Sequence, residues 1–400
     1  MADADKTVTR VLLVCSGVGI MNRGIESFFR EAFDGLKHSA GLELLLLKGT
    51  GANSDDERVL RCLSRTGSLA HLLGVLARRN SYVLEQWSSV FSVSAHIRRF
   101  CPQVIFYSDA NLGFLLFRLR RWIGIPYCLL FSNGGPVHPP FIRTDRVHQV
   151  APCYYHEALS AGEPAAKHFL MPYGINLAPP PKLSTEARDA LRRQLRLPLD
   201  RKVILSVGWI GRAHKRMHYV IEEVARLPRP RPFLQLLGAM DSSSGEILQL
   251  ASGLLGPDGF SAKSVPYAGV FEYFQTANCF VLASLTEGFG RVYLEALMCG
   301  LPAIAHNNPV TQYVLGRHGI LADLTQPGAL AHSLKVELGK EFKPFEAYSR
   351  WQSVRDRFSW PVLAPGYHAM FESCASSPSS KSFPAALSPC RHEIERRLSP

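Results

Sequence analysis

The chain has 400 residues, 46% hydrophobic and 20% charged, a composition typical of globular proteins rather than of disordered or fibrous ones. Its length favours two domains. Lysine and arginine exceed aspartate and glutamate by 12, which favours anionic ligands or surfaces. The sequence contains no recognisable RNA-binding signature, zinc finger or basic helix-turn-helix, so we expect no nucleic-acid partner.

The N-terminus and the apolar runs indicate where the protein resides. Every apolar run is much shorter than the roughly 20 residues that a membrane-spanning helix needs. The first ten residues contain Asp3 and Asp5 and lack the basic and apolar regions of a secretory signal. We therefore expect a cytoplasmic protein. The nine cysteines form no C-x-x-C pair, which argues against a zinc site or a disulfide framework.

Short runs rich in Val, Ile, Leu and Phe alternate with helix-length amphipathic segments, the pattern of parallel sheets covered by helices. The predicted strands are 11–15, 42–47, 104–107 and 127–131 in the first half, and 203–207, 233–237, 279–283 and 303–305 in the second. The sequence therefore predicts an α/β fold of two doubly wound, Rossmann-like domains.

The domain boundary is predicted near residues 173–182, where three consecutive prolines interrupt the alternation. We assign residues 8–172 to the N-terminal domain and residues 173–358 to the C-terminal domain. From residue 374 to 400 the composition shifts to Ser, Pro and Ala, and we expect disorder because such a segment cannot bury enough apolar area.

The most informative segment is a predicted strand that ends in Glu287-Gly288-Phe289-Gly290 and is followed by a predicted helix containing Glu295. Glycines let the backbone approach a ligand, and a helix N-terminus attracts anions. Two carboxylates also suggest a glycoside hydrolase. That interpretation explains neither the glycine turn nor the second nucleotide-type domain, and we do not adopt it.

A second strand, 203–207, runs into a basic turn that contains Gly208, Arg212 and Lys215. Cations at the carboxyl end of a strand can neutralise a diphosphate leaving group. A solvated basic loop is the simpler alternative for Arg212 and its neighbour Arg216.

The first strand is followed by Gly17 and Gly19. A dinucleotide fingerprint would need a glycine where Asn22 stands, which argues against a nicotinamide-dependent oxidoreductase. Gly17 and Gly19 could equally be plain turn glycines.

The two glutamates separated by seven residues, the Gly-Leu-Pro of 300–302 and the Pro-Tyr-Gly-Ile-Asn of 172–176 resemble the donor-site signature of the family-4 (group 1) retaining glycosyltransferases. The resemblance runs from about residue 10 to 372. It implies the GT-B fold, with an acceptor-side N-terminal domain and a nucleotide-sugar-binding C-terminal domain facing a cleft. It also implies a closing helix at residues 359–373 that returns to the N-terminal domain, with Trp360 as its anchor.

The resemblance assigns donor-binding roles to the second half. Glu287 would face the donor sugar, and Glu295 would accept hydrogen bonds from the ribose hydroxyls. Phe289 and Gly290 would offer backbone amides, and Gly288 would lie with them in the same turn.

The resemblance also implies which cations act. Lys215 matches the lysine that contacts the pyrophosphate, close to Gly208. Many family members place an arginine where this chain has Trp209, and Arg212 would supply that second cation instead.

On the acceptor side, the family's glycine loop, here Gly17 and Gly19, lies against the donor phosphates and the acceptor. A histidine near the reacting sugar often comes from the loop that here contains His138. Asn133 and Asp109, which also follow strands, are further acceptor-side candidates.

We therefore predict transfer of a sugar from a nucleoside diphosphate sugar, such as a UDP- or GDP-sugar, to a hydroxyl of a glycan or lipid-linked acceptor. Retention, no cofactor and no metal are expected; Asp3-Ala-Asp5 mimics a metal-binding D-x-D at a chain terminus. The alternative is a catalytically silent nucleotide-sugar-binding protein in a polysaccharide assembly complex. The segment 114–122 mixes basic and bulky apolar residues: it could contact an anionic membrane at its inner face, or be a core-facing helix with a solvated basic edge.

Overall fold

The computed structural model describes residues 8–21, 23–76, 78–135, 137–181 and 184–377. Asp3, Asp5 and most of the predicted disordered tail therefore lie outside the described residues. The chain forms two compact units: unit 1 contains everything up to Asn176 together with the segment from Trp360 onward, and unit 2 contains Leu177–Ser359.

Unit 1 is built on a parallel sheet whose described strands follow the order β3-β2-β1-β4-β5-β6-β7. The strands are β1 (Thr9–Cys15), β2 (Leu42–Lys48), β3 (Glu57–Val59), β4 (Val104–Tyr107), β5 (Cys128–Asn133), β6 (Arg146–Gln149) and β7 (His168–Leu170). The helices are α1 (Gly24–Leu36), α2 (Ser68–Leu76), α3 (Ser81–Phe100), α4 (Ala110–Ile123), α5 (Pro152–Ser160) and, after unit 2, α14 (Trp360–Ala375).

Unit 2 is a second parallel sheet, with the described strands in the order β10-β9-β8-β11-β12-β13. The strands are β8 (Val203–Val207), β9 (Phe233–Leu237), β10 (Phe260–Lys263), β11 (Cys279–Leu282), β12 (Ala303–His306) and β13 (Gly319–Ala322). The helices are α6 (Thr185–Leu195), α7 (Met217–Ala225), α8 (Ser244–Leu255), α9 (Tyr267–Thr276), α10 (Arg291–Met298), α11 (Pro309–Leu315), α12 (Ala329–Leu338) and α13 (Pro344–Phe358).

Both sheets fold because their central strands are almost wholly apolar and are covered on both faces. β1 from Val11 to Val14 and β11 throughout are fully buried. Strands buried on both faces read as continuous apolar runs, which is why these strands were predictable. Three cysteines that lie in such runs, Cys15, Cys128 and Cys279, are buried free thiols.

The last helix belongs to unit 1. Trp360 is buried there, beside Gly35 and Gly174. The ring of Tyr173 stacks on Phe28 with 3.8 Å between ring centroids, so residues 173–176, which we assigned to the second domain, fold with unit 1. The helix also continues to Ala375, and Cys374, which we placed in the disordered tail, is fully buried. Its burial within a helix contradicts a boundary at 374.

Two properties of the described part of the chain bear on function. None of its helices combines the length and the apolar character needed to cross a bilayer. No group of three or more His, Cys, Asp or Glu side chains among the described residues is arranged to hold a metal ion.

Candidate donor site in unit 2

The strand order of unit 2 identifies the edge where a ligand would bind. The chain moves from β8 outward to β9 and β10, then returns to the other side of β8 with β11 and continues to β12 and β13. Loops that follow β8 and β11 therefore diverge and leave a crevice at the carboxyl ends of these strands. In open α/β sheets this switch point is the usual ligand site.

Two glycines, one directly after β8 and one directly after β9, let neighbouring backbones touch. Gly208 has φ +153° and Gly238, just after β9, has φ +156°; a Cβ on Gly238 would lie 1.7 Å from the carbonyl oxygen of Gly208. A Cβ on Gly208 would lie 2.9 Å from Cγ of Lys215. The glycines thus allow the Lys215 stem to lie against the end of the strand.

Lys215 and Glu287 meet across the switch point, although 72 residues separate them. The Lys215 ammonium donates a hydrogen bond to Glu287, with 2.5 Å between Nζ and Oε1. The Lys215 side chain is 21% exposed and that of Glu287 is 10% exposed. A cation and a carboxylate are therefore held together, half-buried, at the position expected for a ligand.

Three further basic residues occupy the same loop and differ in their contacts. His214 Nδ1 lies 3.7 Å from Glu287 Oε1. The Arg216 guanidinium donates to the carbonyl oxygens of Leu324 at 2.8 Å and Ala283 at 3.4 Å, a structural role that ties the loop to neighbouring loops. Arg212 is exposed, and its Nε lies 3.7 Å from Oε2 of Glu246.

The turn after β11 positions the N-terminus of α10. The Phe289 ring is buried and packs edge to face on Phe358 with 5.9 Å between ring centroids, so its side chain belongs to the core. Gly290 has φ +77°, and a Cβ there would lie 2.6 Å from the ring of Tyr293. Gly288 and Gly290 are both half-buried. Glycine is thus required at position 290 for the turn to start the helix.

Glu295 lies on α10, half-buried, eight residues after Glu287 in the sequence. The hydroxyl of Tyr267, at the start of α9, donates a hydrogen bond to Glu295 Oε1 at 3.0 Å. This bond orients the carboxylate for which the family resemblance predicts contact with the ribose.

Unit 1 has its own switch point between β1 and β4, and Asp109 lies there. Its carboxylate accepts hydrogen bonds from the hydroxyls of Tyr82 at 2.6 Å and Ser16 at 3.2 Å, from the Ser16 amide at 3.4 Å and from the Gln86 amide at 3.4 Å. Burial raises the pKa of Asp109, while the hydrogen bonds from Tyr82 and Ser16 act to lower it. Asp109 thus joins the loops of unit 1, and contact with an acceptor stays a prediction.

The loop after β1 shows why glycine occurs there. A Cβ on Gly17 would lie 2.3 Å from Oε1 of Glu26. Gly19 has φ +83°, and its Cβ would lie 2.9 Å from the Thr50 carbonyl oxygen. Packing and turn geometry therefore account for both glycines, and a role against the donor phosphates stays a prediction.

The remaining acceptor-side candidates have different surroundings. Asn133 is buried, and its amide donates to Gln149 Oε1 at 2.8 Å and to the Val137 carbonyl oxygen at 3.1 Å. His138 is 68% exposed, with Nδ1 2.6 Å from Glu157 Oε1. The Asn133 amide therefore makes its hydrogen bonds within the protein, whereas the His138 ring is accessible to solvent.

Sequence reasoning missed Gly238, His214 and Tyr267. Gly238 and Tyr267 are remote in sequence from the residues they contact, and no motif marks them. His214 directly precedes Lys215 in the basic turn, and that adjacency was the available signal.

Comparison with known proteins finds a family model that matches part of the second half of the chain. Residues 187–345 match the family model described as Glycosyl transferases group 1. That range contains Lys215, Glu287 and Glu295. The D-inositol 3-phosphate glycosyltransferase of Corynebacterium jeikeium is 28% identical over 212 residues, which cover 47% of this chain and 48% of that protein. The chain spans about half the length of the curated relatives it matches.

Solved structures resemble the chain over almost its full length. Sucrose-phosphate synthase from Thermosynechococcus elongatus superposes with a TM-score of 0.72 at 18% identity, covering 91% of this chain and 98% of that one. Anabaena HepE, solved with UDP and glucose, gives 0.71 at 16% identity, covering 91% and 100%. These likenesses confirm the predicted fold: the chain has two Rossmann-like domains of GT-B type, and most of its second unit resembles the group 1 glycosyltransferases.

Proposed function

We propose that this protein is a glycosyltransferase that moves a sugar from a nucleoside diphosphate sugar to an acceptor hydroxyl. The observation that carries the proposal is the contact between Lys215 and Glu287 at the switch point of unit 2. The match of residues 187–345 to the group 1 family supports it. HepE, whose structure contains UDP and glucose, has the same fold and supports a nucleotide-sugar donor.

The roles follow from where charge develops during transfer. When the glycosidic bond to the donor breaks, negative charge grows on the leaving diphosphate. A cation and a helix N-terminus placed beside it stabilise that charge without reorganisation. Lys215 and the start of α10 at Gly290 are the groups for this task, and Arg212, at an exposed position in the same loop, would add a second cation.

The carboxylates bind rather than transfer protons. Glu287, held by Lys215, would accept hydrogen bonds from the donor sugar, and Glu295, oriented by Tyr267, would accept them from the ribose hydroxyls. Because the ammonium already contacts Glu287, an arriving diphosphate shares Lys215 with that carboxylate.

Retention of configuration, independence of a metal and the acceptor class are further parts of the proposal. Retention and metal independence rest on the family resemblance. For the acceptor, a glycan or lipid-linked hydroxyl is proposed, and peripheral contact with the inner face of a membrane accompanies the lipid-linked case. The name of the Corynebacterium relative adds D-inositol 3-phosphate to the acceptors worth testing.

The first experiment identifies the donor. Thermal unfolding is measured with UDP, GDP and ADP and their sugars; a ligand at 100 times its dissociation constant stabilises by about 2.7 kcal/mol. Donor hydrolysis and transfer to the acceptor panel are then measured for the protein and for Lys215→Ala. We expect a loss of about 10²- to 10³-fold in turnover, the magnitude for removing one transition-state donor.

Lys340→Ala is the matched control. Lys340 also contacts a glutamate, Glu337, with 2.5 Å from Nζ to Oε2, but it lies beyond α12 rather than at the switch point. Its loss should leave turnover unchanged. Nucleotide-sugar binding with no hydrolysis or transfer to any acceptor would favour the silent binder, which no observation now supports.

Two measurements test the finer parts. The anomeric configuration of the product, read by NMR at early times, should match that of the donor, and an inverted product would refute retention. Turnover in EDTA should equal turnover in added Mg²⁺ or Mn²⁺; restoration by a divalent ion would refute metal independence.

A further inference from the structure

Positive charge is concentrated in one stretch of unit 1. Residues 58–123 contain ten arginines, no lysine and two acidic residues, a net formal charge of +8 within a chain of +12. Both acidic residues, Glu85 and Asp109, are buried. The exposed surface of this stretch therefore carries arginines and no carboxylate. The exposed arginines are Arg61, Arg78, Arg79, Arg98, Arg99, Arg118 and Arg121.

The same stretch exposes large apolar side chains on α2. Leu69 is 57% exposed, Leu72 is 60% exposed and Leu73 is 36% exposed. The spacing i, i+3, i+4 puts the three on one helix face. In a globular helix such a stripe faces the core, whereas here it faces solvent.

Exposed aromatic residues continue this pattern on α3 and α4. Trp87 and Phe91 lie one turn apart on α3, 40% and 79% exposed. Trp122, at the end of α4, is 80% exposed, and the exposed Arg118 and Arg121 precede it on the same helix. Aromatic and basic side chains are thus interleaved at the surface.

Hydrogen bonds and ring contacts connect these helices. The Arg98 guanidinium on α3 donates to the carbonyl oxygens of Trp122 at 2.7 Å and Ile123 at 3.1 Å, which joins the C-terminal ends of α3 and α4. The Arg79 guanidinium, in the segment between α2 and α3, lies 6.0 Å from the centroid of the Trp87 ring. α2 and α4 both pack on α3. The three helices therefore form one layer, with α3 in the middle.

We propose that the exposed face of this layer, the α2–α4 face, docks unit 1 on an anionic lipid bilayer. The face is defined by its apolar residues Leu69, Leu72, Leu73, Trp87, Phe91 and Trp122 and by the exposed arginines named above. Arginines attract the negative lipid surface, and leucine and aromatic side chains enter the boundary between headgroups and acyl chains. This inference rests on the proposed function in one respect, since it assigns a surface to the peripheral membrane contact named there; the docking itself needs neither donor nor transfer.

A bilayer explains the composition of this face better than nucleic acid does. Arginines alone would suit phosphates of either partner. Three exposed leucines on one helix have no partner on a nucleic-acid backbone, whereas a bilayer buries them at about 25 cal/mol per Å² of apolar area. The α2–α4 face also extends well beyond the segment 114–122 that the sequence singled out.

Vesicle flotation of the full chain tests the proposal. Vesicles of phosphatidylcholine alone are compared with vesicles that contain about 30% phosphatidylglycerol, which is an anionic lipid. We expect flotation with the anionic vesicles, little with neutral ones, and a strong decrease at about 0.5 M salt because the Debye length shortens. No nucleotide or acceptor is present, so the result does not depend on transfer activity.

Two pairs of variants locate the contact. Arg118→Glu/Arg121→Glu should lower the partition coefficient by about tenfold or more, since each basic residue near an anionic surface contributes about 1 kcal/mol. Arg193→Glu/Lys335→Glu changes the net charge equally, at exposed positions of unit 2, and should have a much smaller effect.

Apolar residues are tested in the same way. Phe91→Ser/Trp122→Ser should lower partitioning by at least about tenfold, because burying even one of the two aromatic side chains contributes about 1.5–3 kcal/mol. Phe345→Ser in unit 2 removes an aromatic residue that is also 80% exposed and should leave partitioning unchanged. Circular dichroism confirms that each variant is folded.

Three outcomes would overturn the proposal. The first is equal flotation with neutral and anionic vesicles. The second is equal loss in the unit 1 variants and their unit 2 controls. The third is binding of single-stranded RNA that is tighter than vesicle binding and unaffected by Phe91→Ser/Trp122→Ser. Transfer to a soluble acceptor by the unit 1 variants would separate failure of docking from failure of catalysis.

Discussion

Substituting Lys215 and Glu287 separately should distinguish binding of the nucleotide from binding of the sugar. The two side chains form one contact, with 2.5 Å between Nζ and Oε1. If this contact were only a structural ion pair, loss of either partner would weaken donor binding to the same extent. In our proposal the partners serve different parts of the donor. Lys215→Met should weaken binding of the free nucleoside diphosphate, whereas Glu287→Gln should leave that binding intact.

The magnitudes follow from the contact. A hydrogen bond to a charged group contributes about 1.5–3 kcal/mol, so Lys215→Met should weaken binding of the nucleoside diphosphate by about 10- to 150-fold. Glu287 competes with the phosphates for the same ammonium. Glu287→Gln should therefore leave diphosphate affinity unchanged or raise it, by at most about tenfold. The same variant should lose most transfer activity because the sugar is no longer held.

Isothermal titration with the diphosphate that gives the largest thermal shift measures the first effect, and transfer from the corresponding sugar measures the second. Lys340→Met provides the control, since it removes a lysine from a similar contact to a glutamate that is 9% exposed. Equal weakening of diphosphate binding by Lys215→Met and Glu287→Gln would refute the division of roles.

Three other features predict measurable effects. Gly238→Ala should lower the free energy of unfolding in urea by more than about 2 kcal/mol, because its Cβ would strike the backbone, whereas Gly253→Ala, within α8 and in open space, should raise it by about 0.5–1 kcal/mol. Tyr267→Phe removes the hydroxyl that orients the α10 glutamate and should raise the KM for the donor about three- to tenfold with little change in kcat; an unchanged KM would contradict that role. Burial lowers the pKa of His148 to about 4, from 6.5. Between these two values the unfolded chain binds a proton that the folded protein does not bind. The free energy of unfolding should therefore be highest above pH 6.5 and decrease by about 3 kcal/mol as the pH falls toward 4. Urea unfolding between pH 4 and 7.5 should show a smaller pH dependence for His148→Gln but not for a variant of the exposed His156; equal slopes would contradict the assignment.

The sequence predicted the central strands well because they are buried on both faces. β1, β2, β4 and β11 are apolar throughout most of their length and coincide with predicted runs. β6 was not predicted because its sequence is Arg-Val-His-Gln. Its polar side chains are satisfied by the neighbouring strand, His148 by Ser132 at 3.1 Å and Gln149 by Asn133 at 2.8 Å. Composition alone does not reveal such pairing.

The residues of the candidate donor site were predictable individually but not as an arrangement. Glu287, Lys215 and Glu295 each belong to a local pattern of strand, turn and helix. Their relation depends on β8 lying beside β11, which is a property of strand order. Gly238 shows the same limit, because its need for glycine comes from Gly208 on the neighbouring strand.

The position of Trp360 beside Gly174 makes unit 2 an inserted module. Both points where the chain leaves and re-enters unit 1 lie within this one contact, in which a Cβ on Gly174 would meet the indole at 2.6 Å. Residues 177–359 could therefore be excised and Asn176 rejoined to Trp360 by a short linker with no strand of the first sheet interrupted. The proposed nucleotide binding and the proposed membrane docking would then be open to study in two separate polypeptides.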